Sequence, residues 1–563
     1  MSLSSSTCFL RWRSACTCFG ESGTYPILAL PTCKHVKAED SRTIYEVVME
    51  AWRSSGAAEK VGRIWSWATD GDMIRRVAGY EAFLTQKLSH TSTSRIYGTL
   101  AGMAGLNLWT GPFKHLFKRK FRYSFIHVPP ANTITGVCTL LRSPAGIAMN
   151  NGRIINPTML ARYLIRLPST PTQYTISCSR MIAHDAQDVP RAQDVPRAVQ
   201  LLLGVVALGE LDYGAADPNT CTDIDALRLL AAVIKSLLEP FTNTSMTLTQ
   251  QITSLATFSH LSFTLFRCSR LQYMSNQLYG DSQTMVKNAM FCLAKQQALD
   301  PTKPFYLFQV GDDPLERLFG KLRMLGGHSF AMNYLQAIDR LGHACDLQGA
   351  FMRNPDLEQG ERRLSMSRSE GVDHLTMTSW TADLTAGSCH EAAAWGAGRD
   401  IARAILEKTS VPPEHYDYDI LFADEDVDML RPWRGGKYPG IEGDVDRSML
   451  APPPTVLTPS PTIATPSHTV VAPSHTVVAP SHTVVAPSHT VVAPSHTVAS
   501  CRYSRLHCRY SLSRSRYSVR RPSYSISCRC HCSRNSTNCS RTRTSIISGR
   551  RGRRRRPRRW CLI

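Results

Sequence analysis

At 563 residues with 43% hydrophobic side chains, the chain is long enough for roughly two to four domains and for a sizeable buried core. Its formal net charge is +21, yet residues 501–563 alone hold 19 Arg and no Lys, Asp or Glu, which leaves +2 for the first 500. A broadly basic folded surface is therefore excluded, and the positive charge belongs to a tail.

The 18 cysteines divide into four before residue 34, seven after residue 500 and seven scattered between without Cys-x-x-Cys spacing, the pattern expected of a reduced intracellular protein. Arg11 and Arg13 fall where a secretory signal needs an unbroken apolar stretch. No later apolar run approaches bilayer-spanning length, so a soluble chain without a membrane segment is expected.

Residues 1–40 are rich in Ser, Cys and Thr and lack periodicity, which predicts an irregular leader. From Ser41 the spacing of Ile44, Val47, Val48, Ala51 and Trp52 predicts an amphipathic helix. Gly62 to Asp70 then reads as a buried strand ending in an acid. Helical signals run from Asn156 to Phe241, where Leu201–Leu208 predicts a buried helix, and they return from Thr247 to Gln297. An immediate duplication of Ala-Gln-Asp-Val-Pro-Arg at Ala186 and Ala192 lengthens a loop. Phe305–Val310 is expected to be a strand, followed by helices after Asp313, over Phe330–Cys345 and over Cys389–Lys408. The acidic run Asp424-Glu425-Asp426-Val427-Asp428 lacks the spacing and central Gly of a calcium loop and is expected on the solvated surface. Globular structure should end near Ile441.

Beyond Pro452 the tetrad Pro-Ser-His-Thr recurs every seven residues from Pro466 to Pro494. Proline in each unit excludes a coiled coil and predicts an extended linker over 452–500, with no rigid frame on which its histidines could gather a metal. Residues 501–563 cannot bury a core and are expected to be disordered. Their closing cluster Arg553, Arg554, Arg555, Arg556, Arg558 and Arg559 suits phosphate backbones and nuclear import, which makes DNA a candidate partner; the competing reading is translated minisatellite DNA. Cys528, Cys530, His531, Cys532 and Cys539 fit no standard zinc-finger spacing.

The most informative segment runs from Asp312 to His328. Asp313 as N-cap, Pro314 at the first helical position and Glu316 at the third make a capping box. The same run, Asp-Pro-Leu-Glu followed by Phe-Gly, a basic residue and Gly-Gly, resembles the segment carrying the last acidic residue of P-element-type DDE transposases. That resemblance implies a metal-binding role for Glu316. In the same family Asp70 resembles the acid that ends a central strand of the RNase H-like nuclease, and Lys114 to Arg119 resembles a His-Leu-Leu-Lys stretch. Four further motifs are similar to those of transposon-derived proteins of mushroom-forming fungi, a resemblance covering residues 40 to 441: Leu140–Ile147, Asn150–Arg153, Asp281–Asn288 and Val372–His374.

Taken together these imply an α/β, predominantly helical chain with a degenerate RNase H-like core split by a large helical insertion and followed by a disordered C-terminal region. Residues 41–155 would form the first part of the core, 156–300 the insertion, and 301–441 the second part with C-terminal helices. The implied catalytic residues are Asp70, Glu316 and Asp313, with Asp70 and Glu316 as ligands of Mg²⁺. A DDE site needs a third acid from an opening strand followed by two hairpin partners. The acids upstream of Asp70, Glu21, Asp40, Glu46, Glu50 and Glu59 among them, do not fall in such a strand, so impaired catalysis and weak Mg²⁺ binding are expected. Lys120 to Gly136 interrupts the family pattern and reads as a retained intron or an erroneous gene model. The reading from a different class is a non-catalytic helical interaction protein in which Asp313 and Glu316 only cap a helix.

Overall fold

The computed structural model describes residues 10–17, 24–31, most of 36–441, and 561–562; the longest stretches of 36–441 outside that description are 69–71, 88–97, 111–124, 168–194, 312–317, 326–333 and 355–376. The described chain is predominantly helical, with one mixed sheet and two short two-stranded ladders.

Helix α1 (Ala38–Ser54) opens with the Lys37 N–H donating to the Asp40 carboxylate at 2.8 Å. It buries Ser41, Tyr45, Val48 and Met49, spaced to fall along one face of a helix. A single-turn α2 (Ala57–Lys60) leads to strand β3 (Ile64–Ala68), which follows the hairpin strands β1 (Leu10–Thr17) and β2 (Thr24–Pro31) in sequence. On β3, Ser66 and Trp67 are both buried although they point to opposite faces, so the strand is covered on both sides. The Trp67 ring lies 4.9 Å from that of Tyr45 on α1.

Helix α3 (Met73–Phe83) follows β3 and leads, through a short ladder of β4 (Gln86–Lys87) and β5 (Trp109–Thr110), to β6 (Phe125–His127). Strand β6 pairs parallel with β3, Ser66 opposite Phe125 and Ala68 opposite His127. With β9 (Cys561–Leu562) the sheet order is β2-β1-β9-β3-β6, β1 antiparallel to β2 and to β9, and β3 parallel to β9 and to β6.

Helices α4 (Pro130–Arg142) and α5 (Pro157–Leu164) flank a small ladder of β7 (Ile147–Ala148) and β8 (Ile154–Ile155). The bulk of the core comes from α6 (Val195–Glu210), α7 (Pro218–Thr242), α8 (Leu248–Ser269) and α9 (Asn276–Leu299). Local chemistry marks each start. Asp217 caps α7 with Pro218 next to it, Thr247 and Gln250 form the capping box of α8, and Ser275 caps α9. Helix α10 (Tyr334–Arg353), helix α11 (Glu391–Leu406) and the one-turn α12 (Tyr418–Leu421) complete the set. Helix α11 packs on α8 with little clearance: a Cβ on Gly398 would meet Ala256 and stand 2.6 Å from the Thr253 carbonyl oxygen.

Several expectations need correction. Two segments of the leader expected to be irregular form the β1–β2 hairpin, because paired backbone satisfies itself without an apolar–polar alternation. Phe305–Val310 is not a strand: Leu307–Val310 is a 3₁₀ helix, and among the described residues the nearby bridge joins Pro304 to Thr385. Apart from these corrections, residues of the interrupting segment Lys120 to Gly136 form β6 and the first turns of α4, with Thr133 and Ile134 buried, which leaves the reading of its origin unchanged. The acidic run is not wholly solvated, since Asp428 is buried. The helix expected after Asp313 is present at Leu318, Gly320, Lys321 and Leu322.

Candidate functional site

Strand β3 ends at Ala68, and α3 begins after Asp72, so this turn lies at the carboxyl end of a strand paired in parallel with β6. Open α/β sheets place their ligands at that end of the strands. Asp70 falls in this turn by sequence but lies outside the described residues, as do Asp313, Glu316 and the six tail arginines Arg553, Arg554, Arg555, Arg556, Arg558 and Arg559. The structure therefore places none of the predicted site residues relative to another. Asp72, another acid of the turn, is an N-cap: its carboxylate accepts from the Ile74 N–H at 2.9 Å.

Helix α9 meets β3 and α3 through polar side chains, and the motif Asp281–Asn288 supplies them. Asp281 receives Arg76 of α3 through two bonds, Nε to Oδ1 at 2.6 Å and Nη2 to Oδ2 at 2.9 Å. Thr284 and Tyr438 share a hydrogen bond of 2.8 Å, Lys287 donates to the Asn107 carbonyl, and Asn288 Oδ1 accepts from Ser66 of β3 at 2.9 Å. A Cβ on Gly280 would stand 2.6 Å from the Gly440 Cα, so the bare glycine lets the 438–441 turn approach α9 closely enough for the Tyr438 contact. The motif thus ties β3, α3 and the C-terminal turns to one buried helix.

Across from it, Asp428 Oδ1 accepts the N–H groups of Leu430 at 2.9 Å and Arg431 at 2.7 Å, while Oδ2 accepts from Trp109 Nε1 at 2.5 Å. The Arg431 guanidinium lies on the Trp109 ring, 3.2 Å from its centre, and donates to the Leu84 carbonyl at 2.9 Å. Tyr279 donates to the Met429 carbonyl at 2.8 Å. Burial pushes the Lys287 ammonium down to about 8, against the opposing pull of Asp428.

The other buried titratable groups are structural in geometry. His260, with Nδ1 2.7 Å from the Ala256 carbonyl oxygen and its ring 4.8–4.9 Å from the centres of Tyr418 and Trp395, is pushed down to about 3 by burial and stays neutral. Glu391 at the start of α11 is 2% exposed, and burial raises its carboxyl well above the ordinary value. A groove of about 390 Å³ between α7, α8 and α11, lined by Lys235, Glu239, Gln250, Ser254, Ile401 and Ile405 among others, brings no nucleophile and base together.

Among the described residues no group of three His, Cys, Asp or Glu side chains is placed to hold a metal. The described carboxylates of Asp72, Asp281 and Asp428 each accept N–H donors. Arg76, Lys287, Asp428 and Arg431 were not among the predicted site residues. The available signal was α9 itself, a 24-residue helix whose polar positions fall all round rather than on one face. No protein-family model, no curated protein and no solved structure matches the chain.

Proposed function

We propose that the chain is derived from a transposable element: a DDE-type transposase with an RNase H-like core, catalytically impaired, that keeps DNA binding through its arginine tail. The observation that supports it most is β3, a buried strand followed by α3, with Asp70 by sequence just past its carboxyl end; its parallel partner β6 lies in the segment that interrupts the family pattern and lends the reading no support. The β1–β2 hairpin in the same sheet suits the two hairpin partners that such a core requires.

Impairment follows from the acids. Residues 1–9 contain no Asp or Glu, Glu39, Asp40, Glu46 and Glu50 lie on α1, and Glu59 lies on α2, while Glu21 falls between β1 and β2 in sequence, outside the described residues. None of the described acids among them occupies a strand beside β3. Asp70 and Glu316, with Asp313 near, then make a partial carboxylate set, and so small a set is expected to hold Mg²⁺ weakly because the ion keeps most of its water. No reaction step is assigned through the metal. The helical residues Leu318 and Gly320–Leu322 favour the second reading, a non-catalytic helical interaction protein in which Asp313 and Glu316 cap that helix.

Mn²⁺ titration of the full chain followed by electron paramagnetic resonance separates the two. Weak binding that is lost in both Asp70→Asn and Glu316→Gln supports the nuclease origin; binding unaffected by either substitution supports the capping reading. For the tail, DNA affinity across salt is compared between the full chain and a full-length variant with Arg553, Arg554, Arg555, Arg556, Arg558 and Arg559 changed to Ser. The log–log salt slope should fall by up to about 5 in magnitude, from roughly 0.9 per phosphate contact. Equal slopes would remove the tail from DNA binding.

A further inference from the structure

The groove between α7, α8 and α11 has a volume of about 390 Å³ and is lined by described residues alone. Its walls follow helix axes: Ala232 and Glu239 on α7 stand seven positions apart, as do Gln250 and Thr257 on α8. Two helical turns make such a wall about 10 Å long. Ile401 and Ile405, one turn apart on α11, form the third side, and Ile401 is 45% exposed.

The lining hydroxyls are already spent inside the protein. Ser236 donates to the Ala232 carbonyl at 2.8 Å, Ser254 to the Ser236 carbonyl at 3.1 Å, and Thr257 to the Thr253 carbonyl at 3.0 Å. What the groove offers an occupant there is carbon, which favours aliphatic contact. The charge at its rim is unbalanced. Lys235 donates to Glu210, at the end of α6, at 2.7 Å and stands 3.9 Å from Glu239, and neither glutamate has another ion pair among the described residues. One lysine thus serves two carboxylates. The Glu239 carboxylate accepts no hydrogen bond among the described residues, and burial raises its carboxyl above the ordinary value against the pull of Lys235.

We propose that this groove docks an amphipathic helix of a partner protein, one that carries a Lys or Arg beside its aliphatic stripe. A trough two turns long with helical walls suits the apolar face of a helix, the carbon lining selects aliphatic side chains, and the carboxylate in excess selects a cation on the flank. The proposal is independent of the transposase reading, since it uses none of Asp70, Asp313 or Glu316.

The test is thermal unfolding of the full chain with a Leu/Lys amphipathic helical peptide, with the same peptide carrying Glu in place of Lys, and with neither, alongside light scattering for the oligomeric state. Binding to the folded form alone raises Tm, whereas loose association of the Glu peptide with the arginine tail does not. At ten times the dissociation constant the rise should be on the order of 2 °C for a unit of this size, and only the Leu/Lys peptide should produce it. Glu239→Gln should weaken that binding about two- to fivefold, as the loss of a partly exposed ion pair does, and Ile401→Ser about tenfold through lost apolar contact. Both side chains are partly exposed, and the Tm of each variant without peptide is its own baseline. No rise with the Leu/Lys peptide, an equal rise with the Glu peptide, or a rise unchanged in both variants overturns the proposal. A dimer of the full chain that Ile401→Ser dissociates would assign the groove to a second copy and overturn it as well.

Discussion

Arg76 on α3 and Asp281 on α9 meet in a bidentate pair at 2.6 and 2.9 Å with both side chains less than a tenth exposed, and this pair fastens the helix after β3 to the central polar helix. Removing one partner strands a buried charge. Arg76→Met should cost about 3–5 kcal/mol in urea unfolding, whereas the double variant Arg76→Met with Asp281→Leu should recover most of that loss. A double variant no more stable than the single would show that other contacts of Asp281 dominate.

Close helix packing at Gly398 yields a second expectation. A methyl group there must displace Ala256 and the Thr253 carbonyl, both on α8, and neither is the far end of a flexible side chain. Gly398→Ala should destabilise the fold by about 1–3 kcal/mol, the usual cost of overpacking, despite the better helix propensity of alanine. Unchanged thermal stability would mean that α8 and α11 are further apart than described.

Lys295 on α9 is 2% exposed, and burial pushes its ammonium down to about 8. Between pH 8 and the ordinary lysine value near 10.4, the unfolded chain holds a proton that the folded chain has released, so this group stabilises folding as pH rises through that window. Burial pushes the Cys389 thiol up to about 12 and works in the opposite sense, which makes comparison with a variant necessary. Lys295→Met should be more stable than the wild type at pH 7 by on the order of 3 kcal/mol, an advantage that shrinks toward pH 10.4. A constant difference across pH would show that Lys295 is not desolvated.

Glu391 presents the mirror case. Neither of its carboxylate oxygens has a partner among the described residues, and burial raises its carboxyl well above the ordinary value. Above the unfolded value near 4.3 the unfolded chain loses the proton first, so the contribution of this group to stability is full in acid and declines as pH rises toward the folded value. Glu391→Gln imitates the protonated form, and it should match the wild type near pH 4 and exceed it at pH 7 by about 1–3 kcal/mol. Chemical denaturation at the two pH values measures this, and a larger gap in acid than at neutrality would contradict it.

Helical stretches were legible from local sequence because periodicity acts over a few residues, as the 3.6-residue spacing of α1 and the return of helical signals at Thr247 show; the division of those stretches into single helices, with Asp217 and Pro218 opening α7 and Ser275 opening α9, emerged only with the structure. The strand at Ile64–Ala68 was equally legible as an apolar run. The β1–β2 hairpin was not, since its pairing is made between backbones and leaves no alternation to read. Phe305–Val310 shows the converse: apolar composition alone does not distinguish a strand from a buried 3₁₀ turn.

By itself the sequence determined the helical majority of the described chain, the concentration of positive charge in residues 501–563 and the candidate acids Asp70, Asp313 and Glu316; that Cys561–Leu562 of that region pairs into the sheet as β9 was not expected. Only the tertiary structure decided that Asp281, Thr284, Lys287 and Asn288 act as ties inside the protein, and that Asp428, within an acidic surface-like run, is buried. The physical reason is separation along the chain. Arg76 and Asp281 stand 205 positions apart, and Trp109 and Asp428 stand 319 apart. A charge's partner at that distance is chosen by packing, on which no local pattern reports.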